Sequence, residues 1–281
     1  MIRNILSIDV EEIFHIEYAR HVDKRDLSYR TPYNIPFILE LLSEQDVSAT
    51  FFIVGEIAEK FPEIITMIVK EGHEVAFHSY DHKLLWMKNP KQLEAEIEKF
   101  NELLMPITKD GCMGFRAPSF SLDNKTRWAL EVFDRTQILY DSSIFPTWTA
   151  LYGVPRAPAK PYKPSENDLA VEDFDGKVWE FPLTTYSFFK LRVPAAGGFY
   201  LRLMPSLVRK AVKKLNKHGL PAVIYIHSWE LDSETPKLKL NPYKSFVTYH
   251  NIGKTVEFFK RLLSDFEFIS FIEYMKAREM C

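Results

Sequence analysis

The sequence predicts an α/β fold on a parallel sheet, open or closed into a barrel. Three observations carry that expectation. Short apolar runs of strand length alternate with stretches whose apolar residues recur at helical spacing. The alternation repeats along much of the chain, which calls for strand–helix–strand crossovers. Asp9, His78, Arg116, Asp141 and His227 fall at or just after the ends of the apolar runs. Parallel α/β folds gather their chemistry at those strand ends.

In chain order, "NILSIDV" (4–10) reads as a strand. "PYNIPFILELLSEQD" (32–46) reads as a helix with Ile38, Leu41 and Leu42 on one face. "SATFFIVG" (48–55) is a strand ended by Gly55. "EIAEKFPEIITMIVKEG" (56–72) is helical, interrupted at Pro62 and stopped by Gly72. "HEVAF" (73–77) is a strand. "NPKQLEAEIEKFNELL" (89–104) opens with Asn then Pro, a helix start, and spaces Leu93, Ile97 and Phe100 on one side. "GCMGFRAP" (111–118) is a strand with its exit loop, "NKTRWALEVFDR" (124–135) a helix, and "QILYDSS" (137–143) a strand and turn. Residues 144–200 break the rhythm with Pro146, Pro155, Pro158, Pro161, Pro164, Pro182 and Pro194. That region reads as an elaborated insertion with short strands such as "VWEFPL" (178–183). "MPSLVRKAVKKLNKHG" (204–219) is an amphipathic helix. "PAVIYIHSW" (221–229) is a buried strand with its exit, "NIGKTVEFFKRLLSDF" (251–266) a helix, and "EFISFIEY" (267–274) closes the pattern.

Composition excludes several classes. Lys plus Arg is 36 and Asp plus Glu 38, a net charge of −2 that gives no footprint for nucleic acid. The two cysteines, Cys112 and Cys281, do not suggest a disulfide framework and suit a reducing compartment. "MIRNILSIDVEEIF" reaches acidic residues by position 9 and lacks the pattern of a signal peptide. No apolar run approaches the ~20 residues of a membrane span. A cytoplasmic protein is expected. Aromatics make up 14% of the chain; most belong to a Phe-rich core, and some could line a groove for sugar rings.

"HEVAFHSYDH" (73–82) places His78 and His82 four apart. Positions i and i+4 share a face on a helical turn, so both imidazoles could meet one divalent ion. Two histidines and a carboxylate make an open site for zinc or a similar metal. Taken alone, the spacing is more often that of surface polar residues. In "SIDVEEIFH", strand alternation points Asp9 and Glu11 the same way. Glu12 points away and reads as a surface acidic turn. Asp9 ends a strand core, where a charge needs a partner. His15 and His250 read as ordinary polar positions. Arg209, Lys210, Lys213, Lys214 and Lys217 read as a solvated helix face, with contact to an anionic membrane or polymer as the alternative.

Together with "SATFFIVGEIAEKFPEII", "GFRAPSFSL", "YDSSIFP", "WEFPLTT", "AGGFYLRLMP" and "YIHSWELD", these motifs run in order along nearly the whole chain. The chain resembles the NodB-type polysaccharide deacetylases, carbohydrate esterase family 4. It looks closest to the branch found with exosortase-linked exopolysaccharide loci. The resemblance implies a distorted (β/α) barrel of the NodB-homology type: one domain over 1–281, with the proline-rich insertion at about 144–200. It implies Asp9 as catalytic base, His78 and His82 as metal ligands, Arg116 as the cation orienting the base, and His227 as general acid. Asp141 matches the later acidic motif and is available to hold His227 as imidazolium. The first motif departs from the common form, because Val10 stands where a second aspartate is usual. "DVE" resembles a variant with the metal carboxylate two positions on, which makes Glu11 the ligand and Glu12 the fallback. Ser119 follows "RAP", where the family uses a backbone N–H for the oxyanion. Trp229 and Glu230 follow the acid histidine and could shape the acetyl pocket, core packing being an equal alternative for Trp229.

The implied activity is metal-dependent removal of N-acetyl groups from amino sugars of a cell-surface polysaccharide, an exopolysaccharide or its precursor. Zinc is the expected metal, with cobalt, nickel or iron feasible. The expected partner is an N-acetylated glycan, with peripheral membrane contact open. Two rivals are a cyclic-amide or allantoin-type hydrolase of the same superfamily and an inactive glycan-binding protein. A serine nucleophile is disfavoured, since no Gly-x-Ser-x-Gly elbow occurs.

Overall fold

The run NILSIDV forms β1 (Asn4–Val10), and every residue in it is buried, as in a sheet covered on both faces. The computed structural model describes residues 2–22, 27–149, 152–189 and 191–281. After β1 come α1 (Thr31–Ser43), β2 (Thr50–Ile53), α2 (Gly55–Lys60), α3 (Pro62–Lys70), β3 (Glu74–Phe77), α4 (Pro90–Thr108), β4 (Gly114–Phe115), α5 (Ala129–Arg135), β5 (Tyr140–Asp141) and β6 (Trp179–Glu180). Next are β7 (Thr185–Phe188), β8 (Leu191–Pro194), α6 (Gly198–Leu203), α7 (Pro205–Lys217), β9 (Val223–His227), α8 (Pro242–Tyr249), α9 (Thr255–Asp265), β10 (Phe268–Ile269) and α10 (Phe271–Ala277). Pro62, Pro90, Pro205 and Pro242 each open a helix, where the missing N–H leaves no bond unmade.

β1 is the centre of a parallel sheet. β9 runs along one edge, with Asp9 opposite His227. β2 and the short β10 share the other edge. From β2 the order continues β3, β4, β5, β6, and every pairing is parallel. The sheet curls into a half-barrel with helices outside it, the expected α/β class. Its two ends meet through loop backbone instead of a strand. Thr184 N–H donates to Val223 O at 3.3 Å, and Tyr225 N–H to Ala196 O at 2.9 Å. Gly197 makes this approach feasible, because a Cβ there would lie 1.7 Å from Tyr225 O.

Several expectations are revised locally. The strands expected at 111–118 and 137–143 shrink to two residues each. Residues 124–128 form a turn, since Asp123 Oδ1 accepts the N–H groups of Lys125 and Thr126, and α5 begins at Ala129. "EFISFIEY" divides at Ser270, whose hydroxyl caps α10. In the region 144–200, β7 and β8 form an antiparallel hairpin that no proline pattern announced; residues 150, 151 and 190 lie outside the described residues. Among those residues no helix is long and apolar enough to cross a membrane.

Candidate metal centre and catalytic cleft

Arg116 leaves β4 fully buried, so its charge needs a partner in the core. Its Nη1 donates to Asp9 Oδ1 at 2.6 Å and to Ser7 Oγ at 2.7 Å. Nε donates to Ser142 O and Nη2 to Ser142 Oγ, both at 2.9 Å. The guanidinium also lies 4.2 Å from the centre of the Phe52 ring. Asp9, at the C-terminal end of β1, is therefore held by a cation that cannot move.

Glu11, His78 and His82 converge, with one ligand-type atom from each within 4.8 Å of the others. His78 Nδ1 lies 2.7 Å from Arg116 O, and His82 Nδ1 lies 2.8 Å from His15 O. A carbonyl only accepts, so each Nδ1 carries the proton and each Nε2 presents a lone pair. His82 Nε2 sits 2.6 Å from Glu11 Oε2, an oxygen buried with no hydrogen-bond donor among the described residues. Two lone-pair atoms that close, with His78 turned to the same point, call for a cation. The donor set, two neutral imidazoles and a carboxylate, fits a divalent transition metal. Burial lowers His78 to about 4, which keeps its imidazole neutral. Burial alone would raise Glu11, yet positive charge in this pocket holds it below the usual carboxylate range, as a bound cation would.

The pair does not ride on a helical turn as its spacing suggested. Residues 78–82 form a loop, with Ser79 and His82 in the left-handed region at φ 63° and 53°. The first N–H groups of α2 hold it: Gly55 N–H donates to Ser79 O at 3.0 Å and Glu56 N–H to Tyr80 O at 2.8 Å. The fallback ligand Glu12 is also revised. It is buried, not a surface turn. Its Oε1 accepts Arg30 N–H and Thr31 N–H at 2.8 Å and Thr31 Oγ1–H at 2.7 Å, so its carboxylate closes the start of α1 and is turned away from the cluster.

His227 lies across from Glu11, with Nε2 3.8 Å from Glu11 Oε1. Its Nδ1 is 2.7 Å from Glu230 Oε2, and Glu230 Oε1 accepts Arg202 Nε–H at 2.7 Å. Burial would lower His227, but Glu230, then Glu11, push it up to about 9. Burial would raise Glu230, but Arg202 and His227 bring it down to about 2. Trp229 stacks on His227, centroids 5.4 Å apart at 16°, and its Nε1–H donates to Glu11 Oε1 at 3.0 Å. It is buried, yet it binds the cluster directly and lines the cleft.

Asp141 is a correction. It does not hold His227; Glu230 does. Asp141 accepts Ser143 N–H at 3.0 Å and Ser143 Oγ–H at 2.6 Å, and Ser143 Oγ in turn takes Ala117 N–H at 2.7 Å. It sits on β5, on the side of Arg116, and braces the exit of β4. Just beyond that exit, Ser119 and Phe120 are both left-handed, at φ 49° and 54°. Ser119 lines the cleft.

The cleft has a volume of about 370 Å³ and is walled by Glu11, His82, Trp86, Ser119, Tyr200, His227 and Trp229 among others. Sequence reasoning missed two supports. His15 reads in sequence as an ordinary polar position, yet it is buried, accepts Glu12 N–H at Nδ1 and orients His82 through its carbonyl. Arg202 is nearly fully buried and carries Glu230; an arginine in the apolar run "FYLRL" was the available signal.

Parallel half-barrel and cluster together define a class: a (β/α) scaffold with a metal-competent His–His–Glu group beside a buried Asp–Arg pair. Residues 26–138 match the polysaccharide deacetylase family, of the NodB, carbohydrate esterase family 4 type. Residues 142–276 match a domain of unknown function, DUF3473. A peptidoglycan-N-acetylglucosamine deacetylase of Bacillus cereus is 38% identical over 97 residues, 34% of this chain and 35% of the relative. A peptidoglycan deacetylase of Helicobacter pylori is 34% identical over 110 residues, 39% of this chain and 36% of the relative. These alignments span about a third of the relatives' length. Among solved structures, a Mycobacterium smegmatis protein described as a polysaccharide deacetylase superposes with a TM-score of 0.62 at 18% identity, covering 99% of this chain and 92% of that one. That likeness concerns the fold.

Proposed function

We propose that this protein is a metal-dependent hydrolase that removes N-acetyl groups from amino sugars of a cell-surface polysaccharide, an exopolysaccharide or its precursor. The observation that carries the reading is the convergence of two Nε2 lone pairs and the Glu11 carboxylate between Asp9 and His227. The match of residues 26–138 to the deacetylase family and the two peptidoglycan deacetylase relatives, one of them an N-acetylglucosamine deacetylase, support the substrate class. The same convergence supports Glu11, His78 and His82 as ligands, with zinc first and cobalt, nickel or iron as alternatives. When bound, such an ion acidifies water and polarises an acetyl carbonyl.

The remaining work belongs to the chain. Asp9 takes the proton of the attacking water, and Arg116 pairs with its carboxylate and aims it. Ser119 lines the cleft, and its backbone N–H would serve as the oxyanion donor. His227, its Nδ1 fixed on Glu230, delivers a proton from Nε2 to the departing amine. Trp229 holds both Glu11 and the His227 ring. Acetate and a free amino sugar leave. We also propose that residues 1–281 act as one domain: one sheet holds strands from both matched segments, and the cleft draws His82 from one and His227 and Trp229 from the other, with Glu11 preceding both. The unpaired Cys112 and Cys281 support a cytoplasmic setting.

The test is acetate release from N-acetylglucosamine oligomers, after chelation and after zinc is restored. Zinc-dependent turnover is expected, lost by about 10²-fold or more in Asp9→Asn and His78→Ala. Full activity in either variant overturns the assignment. Turnover of a cyclic amide in place of the oligomers selects the ring-opening hydrolase, and zinc-independent glycan binding without acetate selects the inactive binder.

A further inference from the structure

From 181 to 229 the chain has no Asp or Glu, against 38 in 281 residues overall, or about one in seven. The same stretch holds Lys190, Arg192, Arg202, Arg209, Lys210, Lys213, Lys214 and Lys217. A chain of net charge −2 thus concentrates positive charge in one segment. That segment folds into the β7–β8 hairpin and α7. Val208, Ala211 and Val212 face the core, while Lys210, Lys213, Lys214 and Lys217, spaced as one helical stripe, are exposed. Among the described residues none of these four has a carboxylate within ion-pair distance. The stripe borders the hairpin: Lys214 Nζ donates to Ser187 O at 2.7 Å and lies 5.3 Å above the Tyr186 ring.

The hairpin ends in apolar side chains. Phe188 is 60% exposed, Phe189 92% and Leu191 71%, and the two phenylalanine rings meet edge to face at 4.7 Å. Phe189 is at φ 52°, a left-handed turn position that normally selects Asn or Gly. An aromatic residue held there and pointed at solvent has no folding rationale; it suits a partner. Trp148, 76% exposed, follows Thr147, whose Oγ1 donates to Arg192 O on the second hairpin strand at 2.5 Å.

We propose that the hairpin tip and the α7 lysine stripe form a docking surface for an anionic phospholipid bilayer. The aromatic tip enters the headgroup–acyl boundary while the lysines lie over the lipid phosphates. An acidic protein or soluble polyanion would match the lysines but leave the protruding aromatic tip unused. The proposal goes beyond the deacetylase reading and stands without it. It implies that the cleft works close to a membrane face.

Flotation of the full chain with vesicles tests it. One set is phosphatidylcholine; in the other about a third of the lipid is phosphatidylglycerol. Binding at least about tenfold stronger to the anionic set is expected, weakening as salt rises. Lys210→Glu with Lys213→Glu and Lys217→Glu removes that preference. Phe188→Ser with Phe189→Ser and Leu191→Ser lowers binding by about tenfold or more while acetate release from soluble oligomers is kept. All six positions are exposed, and unchanged circular dichroism and melting temperature confirm that the variants fold. Equal partition onto both vesicle types overturns the proposal. So does unaltered binding of the aromatic variant, which would leave the hairpin tip out of the contact.

Discussion

Glu230 decides what His227 can do. Its carboxylate holds the imidazole at Nδ1 and the backbone N–H of the same residue, while Arg202 keeps the carboxylate charged. A ring held in this way aims Nε2 at the cleft. Glu230→Gln should lower turnover of an N-acetylated amine by about 10²-fold, because an amine leaves only when protonated. Hydrolysis of 4-nitrophenyl acetate, whose phenolate leaves unaided, should fall only a few-fold. Equal losses on both substrates would reduce Glu230 to a packing role. The general position of the acid histidine was legible in "YIHSWELD", and Glu230 lay in the same motif. Its pairing was not, because a contact over three residues in a 3-10 turn competes with every other carboxylate that the fold brings near. That is how Asp141 came to be favoured, although it braces Ala117 through Ser143.

At the scale of elements, the cation cluster depends on the loop 78–82 lying across the start of α2. The helix leaves its first N–H groups without internal acceptors, and the loop carbonyls of Ser79 and Tyr80 take two of them. Gly55 allows the contact: a Cβ there would lie 2.9 Å from Tyr80 Cα and 2.5 Å from its ring. Gly55→Ala should therefore displace the loop, destabilise the protein by about 1–3 kcal/mol and weaken zinc affinity by about tenfold. Calorimetric titration with zinc checks this; wild-type affinity would show that the loop is positioned by something else. The spacing of His78 and His82 was visible in the sequence, but the helical turn assumed for it was not what forms. Two left-handed residues set the geometry, and their φ values answer to the helix packed beneath them.

At the scale of the molecule, β5 and β6 bring Asp141 and Glu180 together in the core. Glu180 Oε2 is buried with no donor among the described residues, and burial, then the Asp141 charge, push Glu180 well above its ordinary 4.5. Glu180 therefore keeps its proton in the folded state and donates it toward Asp141. Unfolded, it ionises above the ordinary value. Between that value and the raised folded one, the native state binds more protons, so stability falls as pH rises, by up to about 1.4 kcal/mol per pH unit. Glu180→Gln cannot ionise and still offers an N–H to Asp141. Its melting temperature should vary less as pH rises from about 5 and exceed that of the wild type at the alkaline end of the range. A wild-type curve already flat over that range would remove the shared proton.

The sequence by itself determined the α/β class, the order of the principal strands and helices, and the candidates Asp9, His78, His82, Arg116 and His227. Periodicity and strand-end position are local properties that survive any packing. Tertiary structure decided the rest: that Glu11 and not Glu12 joins the histidines, that Trp229 binds Glu11, that Glu230 and Arg202 support His227, and that the half-barrel closes through Gly197. Apart from the His227–Glu230 pair, three residues apart, each of these is a contact between strands or loops distant in sequence, chosen by burial and by the need of every buried charge and lone pair for a partner.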